Sequence, residues 1–241
     1  MRDVETLIEA LPYIRQFRGK SVVIKYGGAA MTEEHLKEGF ARDIVLLKYV
    51  GLDPIVVHGG GPAVTSHMEK LDMPVEFRDG LRVSDASTVE IARMVLVGKV
   101  NQDIVSNINQ HGQPAVGLSG EDGRLLMASR KTADDGGDIG QVGTIERVDV
   151  DLIRHVADDY VPVVASIATD EHGTPYNVNA DEVASAIARA IDAEKLIYLT
   201  DVSGWLADAS DQGSLVRQAQ AVEVESALES IEGGMRPKLE S

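Results

Sequence analysis

The feature that most constrains this chain is a repeated alternation of short β-branched runs with longer stretches of helical period. It reads "SVVIKY", then "EEHLKEGFARDIVLLKYV", then "PIVVH", then "AVTSHMEKL". Apolar runs of strand length separated by amphipathic segments are the pattern of parallel strands joined by crossover helices. After "DGLRVSD", Ser87 and Glu90 stand at the spacing of a capping box, which predicts a helix running to about Gln110. A strand "PAVGL" follows. Residues 119–148, rich in glycine and charge, predict a small β-hairpin excursion from the sheet. The alternation resumes with "VPVVASI", a helix from about Ala180 to Ile191, the strand "KLIYLTDV" and a last helix around "VEVESALES". The expected fold is α/β with an open, mostly parallel sheet, whose ligands collect beyond the strand C-termini.

Composition excludes several classes. The 241 residues suffice for one α/β domain or two small lobes. No apolar stretch approaches the roughly 20 residues of a membrane span. The N-terminal segment carries Asp3, Glu5 and Glu9 among its apolar residues, unlike a signal peptide, so a cytoplasmic location is expected. Cysteine is absent, which removes thiol catalysis and cysteine-ligated zinc. A formal charge of −16 opposes nucleic acid and anionic membranes as partners. An anionic small molecule would need local cations and backbone dipoles.

One stretch, "PIVVHGGGPAVT", supplies such dipoles. Three successive glycines, Gly59 to Gly61, serve either a tight turn or a loop whose N–H groups approach an anion at a helix N-terminus. "IKYGGAA" repeats the theme, with Lys25 at a strand end and Gly27 and Gly28 behind it. "DGLRVSD" places Arg82 in a short loop, where a guanidinium pairs bidentately with a carboxylate. "NVNADEVASAI" brings Asn177, Asn179 and Asp181 to a helix start, where Asn179 and Asp181 also read as plain capping residues. Lys238 stands in "GGMRPKLES". Familiar motifs fail: "GKS" at Gly19 to Ser21 has Ile14 in place of the leading Walker glycine, and the triple glycine has Val64 at the third dinucleotide-fingerprint position. "GLSGE" lacks the closing glycine of a nucleophile elbow, and the six histidines show no zinc spacing, so His58 reads as a hydrogen-bonded structural residue. Glycine turns, lysines and an acidic helix start together suggest phosphoryl transfer without a Walker loop.

In this order, "VVIKYGGAAM", "VVHGGGP", "DGLRVSD", "NVNADEVA", "LTDVSGWL" and "GGMRPKLES" resemble the amino acid kinase family, and within it the branch acting on N-acetylglutamate. The likeness runs from about residue 5 to Ser241. It implies an αβα sandwich with an N-terminal oligomerisation helix over residues 1–18, an N-acetyl-L-glutamate lobe over 19–192 and a nucleotide lobe over 193–241. It further implies ATP with Mg2+ held mainly by phosphates and water, and N-acetylglutamyl 5-phosphate as product, in arginine biosynthesis. By resemblance, Lys25 and Lys238 flank the phosphoryl group, Asp181 orients them, and Gly28 and Gly60 donate N–H groups. Gly60, Gly61, Arg82 and Asn177 hold the acyl-amino acid. Lys25, Gly27, Gly28, Thr200, Asp201 and Lys238 border the nucleotide. Arginine-inhibited members interlace dimers into a hexamer through a leading helix like this one, with Val4, Leu7, Ile8 and Leu11 on one face, which implies L-arginine as a feedback inhibitor near Tyr13 and Lys195. The family continues through a further helix and strands beyond the position of Ser241, so the nucleotide lobe is expected to be incomplete here and turnover slow. Two other readings stay open: a kinase for carrier-linked aminoadipate or glutamate in lysine biosynthesis, and a non-catalytic arginine or acylglutamate sensor.

Overall fold

The computed structural model describes residues 2–133, 135–200, 202, 204–208, 210–228, 231, 235, 238 and 239, with the side chains of 2–7, 29 and 212 outside the description. Helix α1 (Arg2–Phe17) leads into β1 (Ser21–Tyr26), α2 (Glu34–Tyr49), β2 (Asp53–His58) and α3 (Gly61–Lys70). A two-stranded hairpin, β3 (Phe77–Arg78) and β4 (Leu81–Arg82), precedes α4 (Ala86–Val95), a π-turn over Leu96–Asn101 and α5 (Gln102–Gln110). Then come β5 (Ala115–Ser119), β6 (Leu126–Arg130), β7 (Val142–Val148), α6 (Val150–Asp159), β8 (Val161–Ala165), β9 (Ile167–Thr169), β10 (Pro175–Val178), α7 (Ala180–Ile191), β11 (Lys195–Tyr198) and α8 (Ala221–Ala227). No helix among the described residues is long and apolar enough to cross a membrane.

The main sheet runs β11–β1–β2–β8–β5 with every pair parallel. The two-residue period of a strand sends its side chains to two separate cores. From β1, Val22, Ile24 and Tyr26 pack with Phe40, Ala41 and Ile44 of α2, on the face that also receives α3, α4 and α5. Val23 joins Ile55 and Val57 against Val183, Ala184 and Ile187 of α7 and Ile153 of α6. The result is the expected αβα sandwich. The Tyr26 and Phe40 rings stack at 3.8 Å between centroids, and the Tyr26 hydroxyl donates to the Ala30 carbonyl at 2.6 Å, which fixes the turn after β1.

Four sequence expectations change. The excursion over 119–148 is one half of a closed four-stranded barrel, β10–β7–β6–β9, because "VPVVASI" splits at Ser166 and its last residues leave the main sheet to pair with β10. Ser87 and Glu90 do not open the next helix: Asp85 is its N-cap, accepting from Thr88 N–H at 2.7 Å. That helix does not run unbroken to Gln110 but is interrupted by the π-turn. Arg82 lies in β4 rather than a loop.

Gly140 locks the hairpin and α4 to the barrel. At φ +78° a Cβ there would stand 2.2 Å from the Ser84 carbonyl oxygen. Neither the left-handed backbone nor the main-chain neighbour can yield cheaply. Gly140→Ala is expected to lower stability by about 2–4 kcal/mol, read as a shift in the urea midpoint at unchanged slope.

Candidate active site

The C-terminal ends of β1 and β2 and the N-terminus of α7 converge on a cavity of about 520 Å³. Its wall includes Lys25, Gly27, Gly28, Gly59 to Gly61, Arg82 and Asn177, so the structure gathers residues far apart in sequence around one space.

Lys25 belongs to the β1 face that looks toward α7, where Asp181 sits in the first turn. Lys25 Nζ is 3.0 Å from Asp181 Oδ1, an ion pair without hydrogen-bond alignment, while Lys238 Nζ donates to Oδ2 at 3.0 Å. Asp181 is only 4 % exposed. A buried carboxylate at a helix N-terminus, gripped by two ammonium groups, holds both cations in place. It is therefore no plain cap; Asn179 is, accepting from Asp181 N–H at 2.8 Å. Gly27 leaves room for the folded-back lysine, since a Cβ there would lie 2.8 Å from Lys25 Nζ. Lys238 meets this group through Asp181 and is not part of the cavity wall.

Gly60 is the glycine of the triple that sterics demand. A Cβ on it would stand 2.6 Å from Leu96 Cδ2 and 3.2 Å from Val100 Cγ2, both on the π-turn. The loop then enters α3 with Pro62 in its first turn, leaving amide N–H groups at a helix start facing the cavity.

Arg82 lines the same cavity and is 7 % exposed. Its guanidinium donates to Thr65 Oγ1 at 2.6 Å and to the Gly61 carbonyl at 3.1 Å, and lies 4.7 Å from the Phe77 ring centroid. Among the described residues no carboxylate pairs with it, and burial pulls its pKa below the ordinary value. A desolvated cation held only by neutral groups at a cavity wall asks for an anionic ligand. Lys37 and Lys99, also on the wall, are by contrast matched by Glu34 and Asp103. Asn177 Nδ2 donates to Ser84 Oγ at 3.3 Å, beside Arg82 in sequence. Thr65, Phe77 and Ser84 escaped the sequence reading; only the one-turn spacing of Thr65 after Gly61 could have flagged any of them.

Of the remaining expected residues, Thr200 follows Leu199, whose N–H donates to the Lys25 carbonyl at 3.0 Å, and so runs beside the end of β1. Asp201 lies outside the described residues. Tyr13 and Lys195 are both exposed, on α1 and β11, and no hydrogen bond joins them. Among the described residues no group of three or more His, Asp or Glu converges as a metal site.

The sequence profile of the amino acid kinase family matches residues 20–241. The chain belongs to the amino acid kinase family. Over 239 residues it is 52 % identical to the chloroplastic acetylglutamate kinase of Arabidopsis thaliana, covering 98 % of this chain and 68 % of that protein. Over 240 residues it is 49 % identical to the acetylglutamate kinase of Kosmotoga olearia, covering 98 % of this chain and 83 % of that one. Among solved structures, N-acetylglutamate synthase from Neisseria gonorrhoeae superposes with a TM-score of 0.84 at 24 % identity, covering 98 % of this chain and 54 % of the synthase. Giardia carbamate kinase superposes with a TM-score of 0.64 at 15 % identity, over 92 % of this chain and 87 % of that chain. These two likenesses concern the fold, which this amino acid kinase family member shares with them.

His58 is fully buried, and burial lowers its pKa from an ordinary 6.5 to about 4 against an opposing bond to Gly59. The folded ring stays neutral where the unfolded ring takes a proton, so the unfolded state binds more protons between those values. The stability this contributes is complete above about pH 6.5 and is lost as the pH falls to about 4, an effect of about 3 kcal/mol. The difference in unfolding free energy between the parent and His58→Asn, measured by denaturant titration across pH 4 to 8, is expected to shrink by that order toward acid.

Proposed function

We propose that this chain is an ATP-dependent acetylglutamate kinase, transferring the γ-phosphoryl group of ATP to the side-chain carboxylate of N-acetyl-L-glutamate. The 49–52 % identity to acetylglutamate kinases over nearly the whole chain supports this reading. The observation in the site that carries it is the pairing of Lys25 and Lys238 on one buried carboxylate beside two glycine loops.

The acceptor carboxylate is ionised near neutral pH, so no general base is needed. One of its oxygens bonds to the γ-phosphorus while the bond to the β,γ-bridging oxygen breaks, and ADP leaves with that electron pair. The obstacle is bringing a carboxylate up to a polyanion. Lys25 and Lys238 offset that repulsion, and the Gly28 and Gly60 amides receive the charge spread over the equatorial oxygens. Asp181 keeps the lysines in register without presenting its own charge to the substrates, since both of its oxygens are engaged. Arg82 holds the α-carboxylate, aided by Asn177, with Gly60 and Gly61 along the acyl-amino acid. Gly27, Thr200 and Asp201 border the nucleotide. Mg2+ would arrive on the nucleotide phosphates, which fits a site whose one buried carboxylate among the described residues already serves two lysines; when bound it would supply charge neutralisation there.

In this reading residues 19–192 form the substrate lobe and 193–241 part of the nucleotide lobe, although β11 is an edge of the same sheet. The exposed Ile8, Leu11 and Tyr13 on α1 fit a role for residues 1–18 in a homo-oligomer, with L-arginine binding beside that helix.

An ATP-dependent hydroxamate assay comparing N-acetylglutamate, free glutamate and a carrier-linked glutamate tests the reaction; product from N-acetylglutamate alone is expected, and none from it removes the proposal. Arg82→Ala is expected to weaken N-acetylglutamate binding by about 2–5 kcal/mol while leaving ATP affinity within about twofold. Calorimetry with each ligand separates the two, and unchanged acylglutamate affinity would remove Arg82 from the site.

A further inference from the structure

The reaction sketched above makes no use of His58, yet this ring is fully buried at the point where β2 gives way to the three glycines. Its Nδ1 lies 2.8 Å from the Gly59 carbonyl oxygen and its Nε2 lies 3.0 Å from Asn101 Nδ2. Asn101 Nδ2 also donates to the Val163 carbonyl at 2.8 Å, and a carbonyl there accepts only a donor, so the amide cannot be turned round. The Asn101 NH2 group therefore donates to Nε2, and the ring carries its proton on Nδ1. That proton goes to the Gly59 carbonyl.

The consequence lies in the next peptide plane. In a trans peptide the C=O and N–H groups point in opposite directions. Holding the Gly59 oxygen on the core side thus sends the Gly60 N–H the other way, where Gly59, Gly60 and Gly61 line the cavity. Gly60 is seated from the same segment that supplies Asn101, since Leu96 and Val100 fill the space that a Cβ on Gly60 would need. In a regular α-helix residue i+5 is turned by about 140° from residue i. The i→i+5 bonding of a π-turn brings it back under that residue. Leu96 and Val100 then stand at Gly60 while Asn101 reaches His58 and Val163. Gly117 completes the arrangement, because a Cβ there would fall 1.9 Å from Asn101 Oδ1.

We propose that His58 is a positioning residue for phosphoryl transfer: its Nδ1–H, with Asn101 fixing the opposite ring nitrogen, holds the Gly59 carbonyl and thereby aims the Gly60 amide at the transferring group. The proposal rests on the kinase reading. It differs from simple core filling in depending on one nitrogen of the ring.

Two amide substitutions separate these roles. His58→Asn places an N–H where Nδ1–H stands; His58→Gln matches the ring better in volume but carries its amide to the position of Nε2. Because misplacing a reacting group by 1 Å can cost about a hundredfold, His58→Gln is expected to lower kcat by about 10–100-fold with KM for N-acetylglutamate changed less than about threefold. His58→Asn is expected to keep kcat within about fivefold of the parent. Equal turnover in the two variants, or a better Gln variant, overturns the proposal.

Nuclear magnetic resonance gives a readout that does not require turnover. In the unsubstituted protein the side-chain nitrogens of His58 should show a protonated Nδ1 and a bare Nε2 from pH 6 to 9; the other tautomer overturns the proposal whatever the variants do. The Gly60 and Gly61 amide resonances should move in His58→Gln and stay close to the parent positions in His58→Asn, and equal displacement likewise counts against it. Should the unsubstituted chain fail to phosphorylate N-acetylglutamate, the kinase reading falls, while the tautomer and amide shifts still judge the positioning.

Discussion

The carboxylate of Asp181 is the interaction on which the site depends. Taken out of water alone, such a group would cost several kcal/mol. Two ammonium groups, each 3.0 Å away, and the start of α7 make its burial tolerable. The exchange runs both ways, because the lysines lose their freedom to wander. Lys25 comes from the first strand, Asp181 from the last helix of the second core, and Lys238 from the far end of the sequence, so one side chain ties three distant segments into a single electrostatic unit. Removing Asp181 would leave two unneutralised cations facing each other, whereas removing either lysine would leave a buried anion half compensated.

Charge is distributed unevenly on two scales. The chain carries a formal −16, yet among the described residues the charged group on the cavity wall without a neutralising partner is the cation Arg82, and the glycine loops add backbone N–H dipoles. Arg82 shows how this is managed without self-repulsion. It lines the same cavity as Lys25, braced by Thr65, Gly61 and Phe77, none of which is charged. The acidic exterior is screened at ordinary ionic strength beyond about 8–10 Å.

Much of this was legible in the residues. The alternation of "SVVIKY", "PIVVH" and "VPVV" with amphipathic stretches gave the parallel sheet, since burial on both faces demands continuous apolar runs. Lys25, the glycine loops, Arg82 and Asn177 were open by residue type alone to plain turns and caps as well as to an anion site, and the ordered motifs of the amino acid kinase family singled them out. The barrel was not visible: β9 and β10 are three and four residues long, too short for period to declare itself, and Ser166 gives no local sign that the chain changes sheets. The π-turn was equally hidden, because "LVGKVN" satisfies helical spacing as well as any helix and what widens it is the tertiary demand that Asn101 reach His58 and Val163. Asp181 was read partly as a cap because sequence cannot tell an N-terminal acid facing water from one facing two lysines.

The place of β11 has a consequence for how the chain is made. Its partner β1 comes first among the described strands, and its apolar "SVVIKY" acquires an inner neighbour, β2, almost at once. The outer rim of β1 waits until Lys195–Tyr198 has been translated, after every other described strand. Until that segment emerges the nascent chain therefore exposes the outer hydrogen-bonding rim of β1, a template for pairing with another copy. Chaperone dependence and losses to aggregation should accordingly be governed by how quickly the segment after α7 docks, rather than by the stability of the finished sheet.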